Sequence, residues 1–182
     1  MTAVAPDPSE GRPSEGRPSE GRPCGGRPGG PLPFFVYGTL RPGEHNHDLF
    51  LRGRTVREEP ARLAGAWLYD GPGYPYAVEI PGTEAGNVGG RGNEPVVVGE
   101  LVTATHEAYG ELLAVLDELE EYAAPGDPRN LYERAVRDVL RADGTTAPAW
   151  VYFAAPRVAR RLRRGGRLIA GGDWIAYVTP PP

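Results

Sequence analysis

The sequence predicts an α+β fold in which a mixed β-barrel or curled sheet carries a few helices. Two observations predict it. Strand signals recur at 34–38, 61–70, 76–80, 96–104, 132–142 and 147–155, several of them alternating with a period of two. Only one segment, 105–122, repeats its leucines convincingly at helical spacing. Gly and Pro clusters separate the strands at uneven intervals, which argues against regular βαβ winding.

The first residues lack this patterning. Pro-Ser-Glu-Gly-Arg occurs three times in succession from Pro8 to Arg22 and then decays into a Pro- and Gly-rich stretch. Such a segment has no apolar periodicity and buries too little surface to offset the entropy of ordering it. Residues 1–33 are therefore expected to be a disordered tail, and residues 34–182 the folded domain. Four Arg in the tail balance Asp7 and three Glu, so the formal charge of −4 belongs to the domain. A mildly acidic domain neutralises nucleic-acid phosphates poorly, and no nucleic-acid partner is expected. The basic stretch RVARRLRRGGR, 157–167, reads as a solvated charged segment.

The first strand, FFVYG, runs straight into TLRPG. A short apolar strand broken by Gly and then by Arg-Pro-Gly ends in a tight loop, where backbone N–H groups can be left free. The stretch 82–95 is a long Gly-rich loop; its glycines do not lead from a strand into a helix, so it is not a nucleotide fingerprint. In the helical segment, Thr105 is placed to cap the N-terminus, and Glu107 sits in the first turn, where the dipole favours an acid. At about 100° per residue, with Leu112 at zero, Leu116 lies near 40°, Leu119 near 340°, Val115 near 300° and Leu113 near 100°. Glu120 falls at about 80°, among these leucines, while Asp117, Glu118 and Glu121 fall on the outer face. A carboxylate on an apolar face must be paired, hydrogen-bonded or protonated, and burial raises its pKa. Two readings of Glu120 follow: an ion pair with an Arg such as Arg134, or a general acid/base tuned towards neutrality.

Absences narrow the chemistry. All 20 basic residues are Arg, so neither a P-loop lysine nor a Schiff base is available. The only serines are Ser9, Ser14 and Ser19, and the only cysteine is Cys24, all in the tail, which removes Ser and Cys nucleophiles from the domain. His45, His47 and His106 are the only histidines, and no metal-ligand spacing surrounds them; the first two read as loop histidines and no metal or other cofactor is expected. No apolar run approaches the roughly 18–20 residues of a membrane span, and the N-terminus has no secretion-signal core. A soluble, cytoplasmic protein without a membrane partner is expected.

Several motifs occur together in order. YGTLRPGEHN follows the first strand, GPGYPYAV follows at 71–78, and VVVGEL precedes the helix. LDELEEY then leads to YERAVRDV and AWVYF, and LIAGGDWIAY closes the set at 168–177. Over essentially 34–177 this order resembles the gamma-glutamylcyclotransferase-like (AIG2-like) superfamily, in its bacterial form. The resemblance implies a small mixed closed β-barrel with flanking helices. It implies Glu120, in the Leu116-Asp117-x-x-Glu120 motif, as catalytic acid/base, and Tyr37, Gly38, Thr39 and Leu40 as the loop that binds a γ-glutamyl group. Glu121 departs from the family pattern, where Gly is common. The implied reaction is release of 5-oxoproline from a small-molecule γ-glutamyl amine, peptide or acyl conjugate. Its nucleophile is the substrate's own α-amine, which accounts for a domain without Ser or Cys. A non-catalytic module binding a small metabolite in the same cavity, and a hydrolase using water instead of the α-amine, are the alternatives. Trp174 and Tyr177 read as packing aromatics, Asp173 as structural, and Arg41 as a solvent-exposed loop residue.

Overall fold

In a computed structural model, residues 30–80 and 95–179 are described. The repeat segment and most of the Gly-rich loop of 82–95 lie outside the described residues. Five strands close a barrel in the order β1, β5, β2, β6, β7. They are β1 (Phe34–Val36), β2 (Thr55–Ala64), β5 (Val96–Ala104), β6 (Tyr132–Arg141) and β7 (Thr146–Ala154). All neighbours are antiparallel except β1 and β7, whose parallel pairing at Phe34 and Trp150 closes the ring. Strands β3 (Ala66–Tyr69) and β4 (Tyr76–Glu79) form a separate two-stranded sheet. The mixed closed barrel expected from the motifs is therefore what the chain forms.

The period-two alternation of β1 sorts its side chains into two apolar clusters. Phe35 and Tyr37 join Leu101, Val139, Ala149 and Val151, whereas Phe34 and Val36 join Val102 and the helix leucines Leu112 and Leu116. A strand buried on both faces has no room for polar alternation, which explains its continuous apolar run. The segment expected as one strand at 61–70 is instead two. Gly65, at φ +78°, takes a left-handed turn that ends β2 and starts β3. Strand β2 also begins six residues earlier than its apolar run, because Thr55–Pro60 pair with β5 while their side chains face outward or are only half-buried.

Three α-helices flank the barrel: α1 (Tyr109–Leu119), α2 (Pro156–Gly165) and α3 (Trp174–Val178). Helix α1 starts later than its capping signal suggests. Thr105 Oγ1 accepts a hydrogen bond from the Ala108 amide at 3.1 Å, closing a turn ahead of the helix. Leu112 and Leu116 are fully buried, as the wheel requires, and Val115, Leu113 and Leu119 are half-buried. Helix α2 is formed by the basic stretch whose helicity the apolar pattern understated. Its arginines remain exposed while Val158, Ala159 and Leu162 alone anchor it. Pro156 at its first turn and Gly166 at its end supply the usual helix boundaries. None of the described helices is long and apolar enough to cross a membrane.

Candidate active site

Two segments far apart in sequence build the site. The first is the loop that leaves β1. Gly38 must approach Pro75 so closely that an added Cβ would lie 2.8 Å from two atoms of the proline ring, so only glycine fits. The Arg41 amide donates to the Gly38 carbonyl at 3.0 Å and closes the turn. Among the described residues the amides of Gly38, Thr39 and Leu40 donate no hydrogen bond. Asn46 Nδ2 donates to Thr39 Oγ1 at 2.9 Å and ties the loop to the segment that follows.

Arg41 is not the exposed side chain expected from its loop position. It is largely buried, donating to both oxygens of Glu100 on β5 at 2.7 and 2.9 Å and to Asp173 at 2.6 Å. Asp173 in turn accepts from the Ile175 and Ala176 amides and caps α3. One guanidinium therefore ties the loop, the barrel wall and the last helix together, a link that joins residues 132 positions apart.

The second segment is the C-terminal end of α1. Asp117 Oδ1 and Oδ2 accept from Arg134 on β6 at 2.8 and 2.6 Å, and Oδ1 also accepts from the Tyr152 hydroxyl on β7 at 2.7 Å. The Arg134 guanidinium sits between the rings of Tyr122 and Trp150, 5.0 and 4.7 Å from their centroids. Beyond the helix, Asn130 is buried and organises the rim of 123–130. Its Oδ1 accepts from the Ala123 amide, and its Nδ2 donates to the Ala124 carbonyl and to Glu133.

The ion pair with Arg134 that the sequence allowed for Glu120 thus belongs to Asp117. Glu120 ends α1, and its carboxylate accepts no hydrogen bond from any described residue. It lines a cavity of about 230 Å³ together with Tyr37, Gly38, Thr39, Leu40, Tyr74, Tyr132 and Tyr152. Burial alone pushes its pKa up to about 7. The five residues singled out from the sequence are therefore brought to one cavity. The next residue, Glu121, lies at φ +49°, the only non-glycine with positive φ among the described residues. The chain needs this left-handed turn to leave the helix and return to β6, where the Leu131 amide donates to the Glu121 carbonyl at 3.1 Å.

Two tyrosines carry the most information about polarity. Tyr37 donates its hydroxyl proton to the Tyr152 carbonyl at 2.6 Å. Tyr132, which sequence reasoning missed, donates to the Pro75 carbonyl at 2.9 Å. Burial first, and then the Glu120 charge, raises the pKa of Tyr37; burial, Tyr37 and Glu120 raise that of Tyr132. The residue sits at the start of β6 and opens the motif YERAVRDV, to which the sequence reading gave no role in the site.

His47 departs from expectation as well. It is buried, and its Nε2 lies 3.0 and 3.1 Å from the two oxygens of Glu58, so it is an anchored side chain and not a loop histidine. Among the described residues no group of three or more His, Cys, Asp or Glu is arranged to hold a metal ion.

A relative from Niallia circulans, gamma-L-glutamyl-butirosin B gamma-glutamyl cyclotransferase, is 37% identical over 118 residues, which is 65% of this chain and 64% of that protein. The crystal structure of an AIG2-like protein from Mus musculus aligns over 79% of this chain and 87% of its own, with a TM-score of 0.50 and 20% identity. YkqA from Bacillus subtilis aligns over 82% of this chain but 44% of its own, with a TM-score of 0.51 and 24% identity. The family model for gamma-glutamyl cyclotransferase, AIG2-like, matches residues 34–176, and the chain belongs to that family.

Proposed function

We propose that this protein releases 5-oxoproline from a γ-glutamyl amide, with Glu120 as the single acid/base. The observation that carries the reading is a buried carboxyl without a partner, poised to titrate near neutrality, in a cavity that also holds a loop of free amides. The substrate α-ammonium gives one proton to the Glu120 carboxylate. The freed amine attacks the γ-carbonyl carbon and closes a five-membered ring, an intramolecular step with a large effective molarity. Glu120 then returns its proton to the leaving nitrogen as the old C–N bond breaks. The ring nitrogen sheds a second proton, which balances protonation of the released amine.

Amides of Gly38, Thr39 and Leu40 suit the substrate carboxylate or the developing oxyanion, because they are preorganised donors. The cavity is smaller than the roughly 300–1,000 Å³ typical for drug-sized ligands, which suits a glutamyl group inside and a leaving group at the mouth.

The reading is tested by 5-oxoproline release from a panel of γ-glutamyl compounds, with the γ-glutamyl-butirosin of the Niallia relative among them. Release by wild type and its loss in Glu120→Gln are expected. Equal release by both would assign the chemistry to another group. Binding without release by either would favour a metabolite-binding module.

A further inference from the structure

We propose that Tyr132 is a substrate-binding residue whose phenolic oxygen accepts a hydrogen bond from the substrate α-ammonium and so aims the attacking nitrogen. The proposal rests on the γ-glutamyl reading above and gives a role to the residue that opens the YERAVRDV motif.

A phenolic oxygen carries one proton and two acceptor lone pairs. Tyr132 spends its proton on the Pro75 carbonyl, and Tyr37 spends its own on the Tyr152 carbonyl. Burial and the neighbouring Glu120 charge keep both phenols protonated. Each oxygen is thereby left with acceptor capacity only. Tyr37 already uses some of this on the Ala77 amide at 3.4 Å, whereas Tyr132 accepts from no described residue. The Tyr132 ring is locked by stacking on Tyr76, with centroids 5.1 Å apart and planes at 22°, so its oxygen is held in place.

The cavity's charge balance points the same way. None of the residues that line it is basic, yet they include Glu120, Glu121 and the two tyrosines whose oxygens are left as acceptors. A buried carboxylate needs a cation, and here the ligand must bring it. The α-ammonium of a γ-glutamyl compound is such a cation. Its carboxylate would sit on the free amides of the loop after β1. One ligand with both charges on one carbon matches a cavity lined both by these acceptors and by a loop of free N–H groups.

The test uses L-glutamine and glutaric acid monoamide, which differ only in the α-ammonium. Dissociation constants for both are measured by calorimetry on the full chain, as wild type and as Tyr132→Phe, beside 5-oxoproline release. The variant keeps the stacked ring and deletes one oxygen. A hydrogen bond to a charged group is worth about tenfold or more in binding. L-Glutamine is expected to bind at least about tenfold more weakly to the variant, with glutaric acid monoamide within about twofold. Equal weakening of both ligands, or of neither, would overturn the assignment. So would a wild type that does not discriminate between the two, or a variant that no longer folds, which would make the Pro75 bond the hydroxyl's sole task. If wild type shows the expected discrimination but yields no 5-oxoproline from any panel member, the ammonium site stands and the cyclotransferase reading fails.

Discussion

Arg134 gives both of its short hydrogen bonds to Asp117, at 2.8 and 2.6 Å, and none to Glu120 three residues further along α1. The helix end thus carries one neutralised carboxylate that holds it to the barrel and one unpaired carboxyl that faces the cavity. Position on the helix separates the two roles: Asp117 reaches β6 and β7, and Glu120 lines the same cavity as the loop after β1.

The unpaired carboxyl sets a pH dependence. Its folded pKa of about 7 lies above the ordinary glutamate value of 4.5, so between the two the folded protein holds a proton that the unfolded chain has released. Stability from this group is complete below about pH 4.5 and is lost as pH rises through 7, by up to about 3 kcal/mol. Glu120→Gln removes the titration. The variant is expected to melt well above wild type at pH 8 and close to it at pH 4.5, as thermal unfolding would read. A constant difference across that range would contradict the assignment.

Removing one partner of the Asp117–Arg134 pair leaves the other charge without compensation. The pair is about four-fifths buried, with side-chain exposures of 24% and 17%. Asp117→Asn is expected to cost about 2–3 kcal/mol in denaturant unfolding, near the low end for a buried pair. Arg134→Lys should also destabilise, because lysine supplies no planar cation between Tyr122 and Trp150.

Arg41 ties the amide-bearing loop to Glu100 and Asp173. Arg41→Ala is expected to raise KM for γ-glutamyl compounds about tenfold or more, because a loop that must order on binding weakens affinity. It should also lower stability by about 2 kcal/mol, since Glu100 is left largely buried without its cation. Steady-state kinetics beside a melting curve would separate the two effects, and an unchanged KM would show that the loop holds its shape unaided.

Glu121 occupies a left-handed conformation at φ +49°. Glycine takes that conformation without the Cβ penalty of about 1–2 kcal/mol, offset in part by its greater freedom in the unfolded chain. Glu121→Gly is expected to raise stability by up to about 1 kcal/mol. A loss of stability would mean that the glutamate side chain makes contacts that outweigh its strain.

Sequence alone determined most of the strands, because period-two patterning and Gly/Pro punctuation are local; that they close into a barrel came from the motif order and not from the patterning. It also determined that Glu120 lies among leucines, because a helical wheel is local too. The loop Tyr37-Gly38-Thr39-Leu40 was legible as a motif, and its free amides as a consequence of a strand ending in a glycine turn. What only the tertiary structure decided is which charge meets which. Arg134 could have served either acid of α1, and the choice depends on how the helix end sits over β6 and β7. Arg41 lies in a loop of ordinary appearance, yet its partners come from β5 and the cap of α3. The direction of a tyrosine proton, at Tyr37 and Tyr132, is set by carbonyls up to 115 residues away. Backbone periodicity is written in neighbouring residues, whereas pairing and burial of polar groups depend on contacts that closure of the barrel creates.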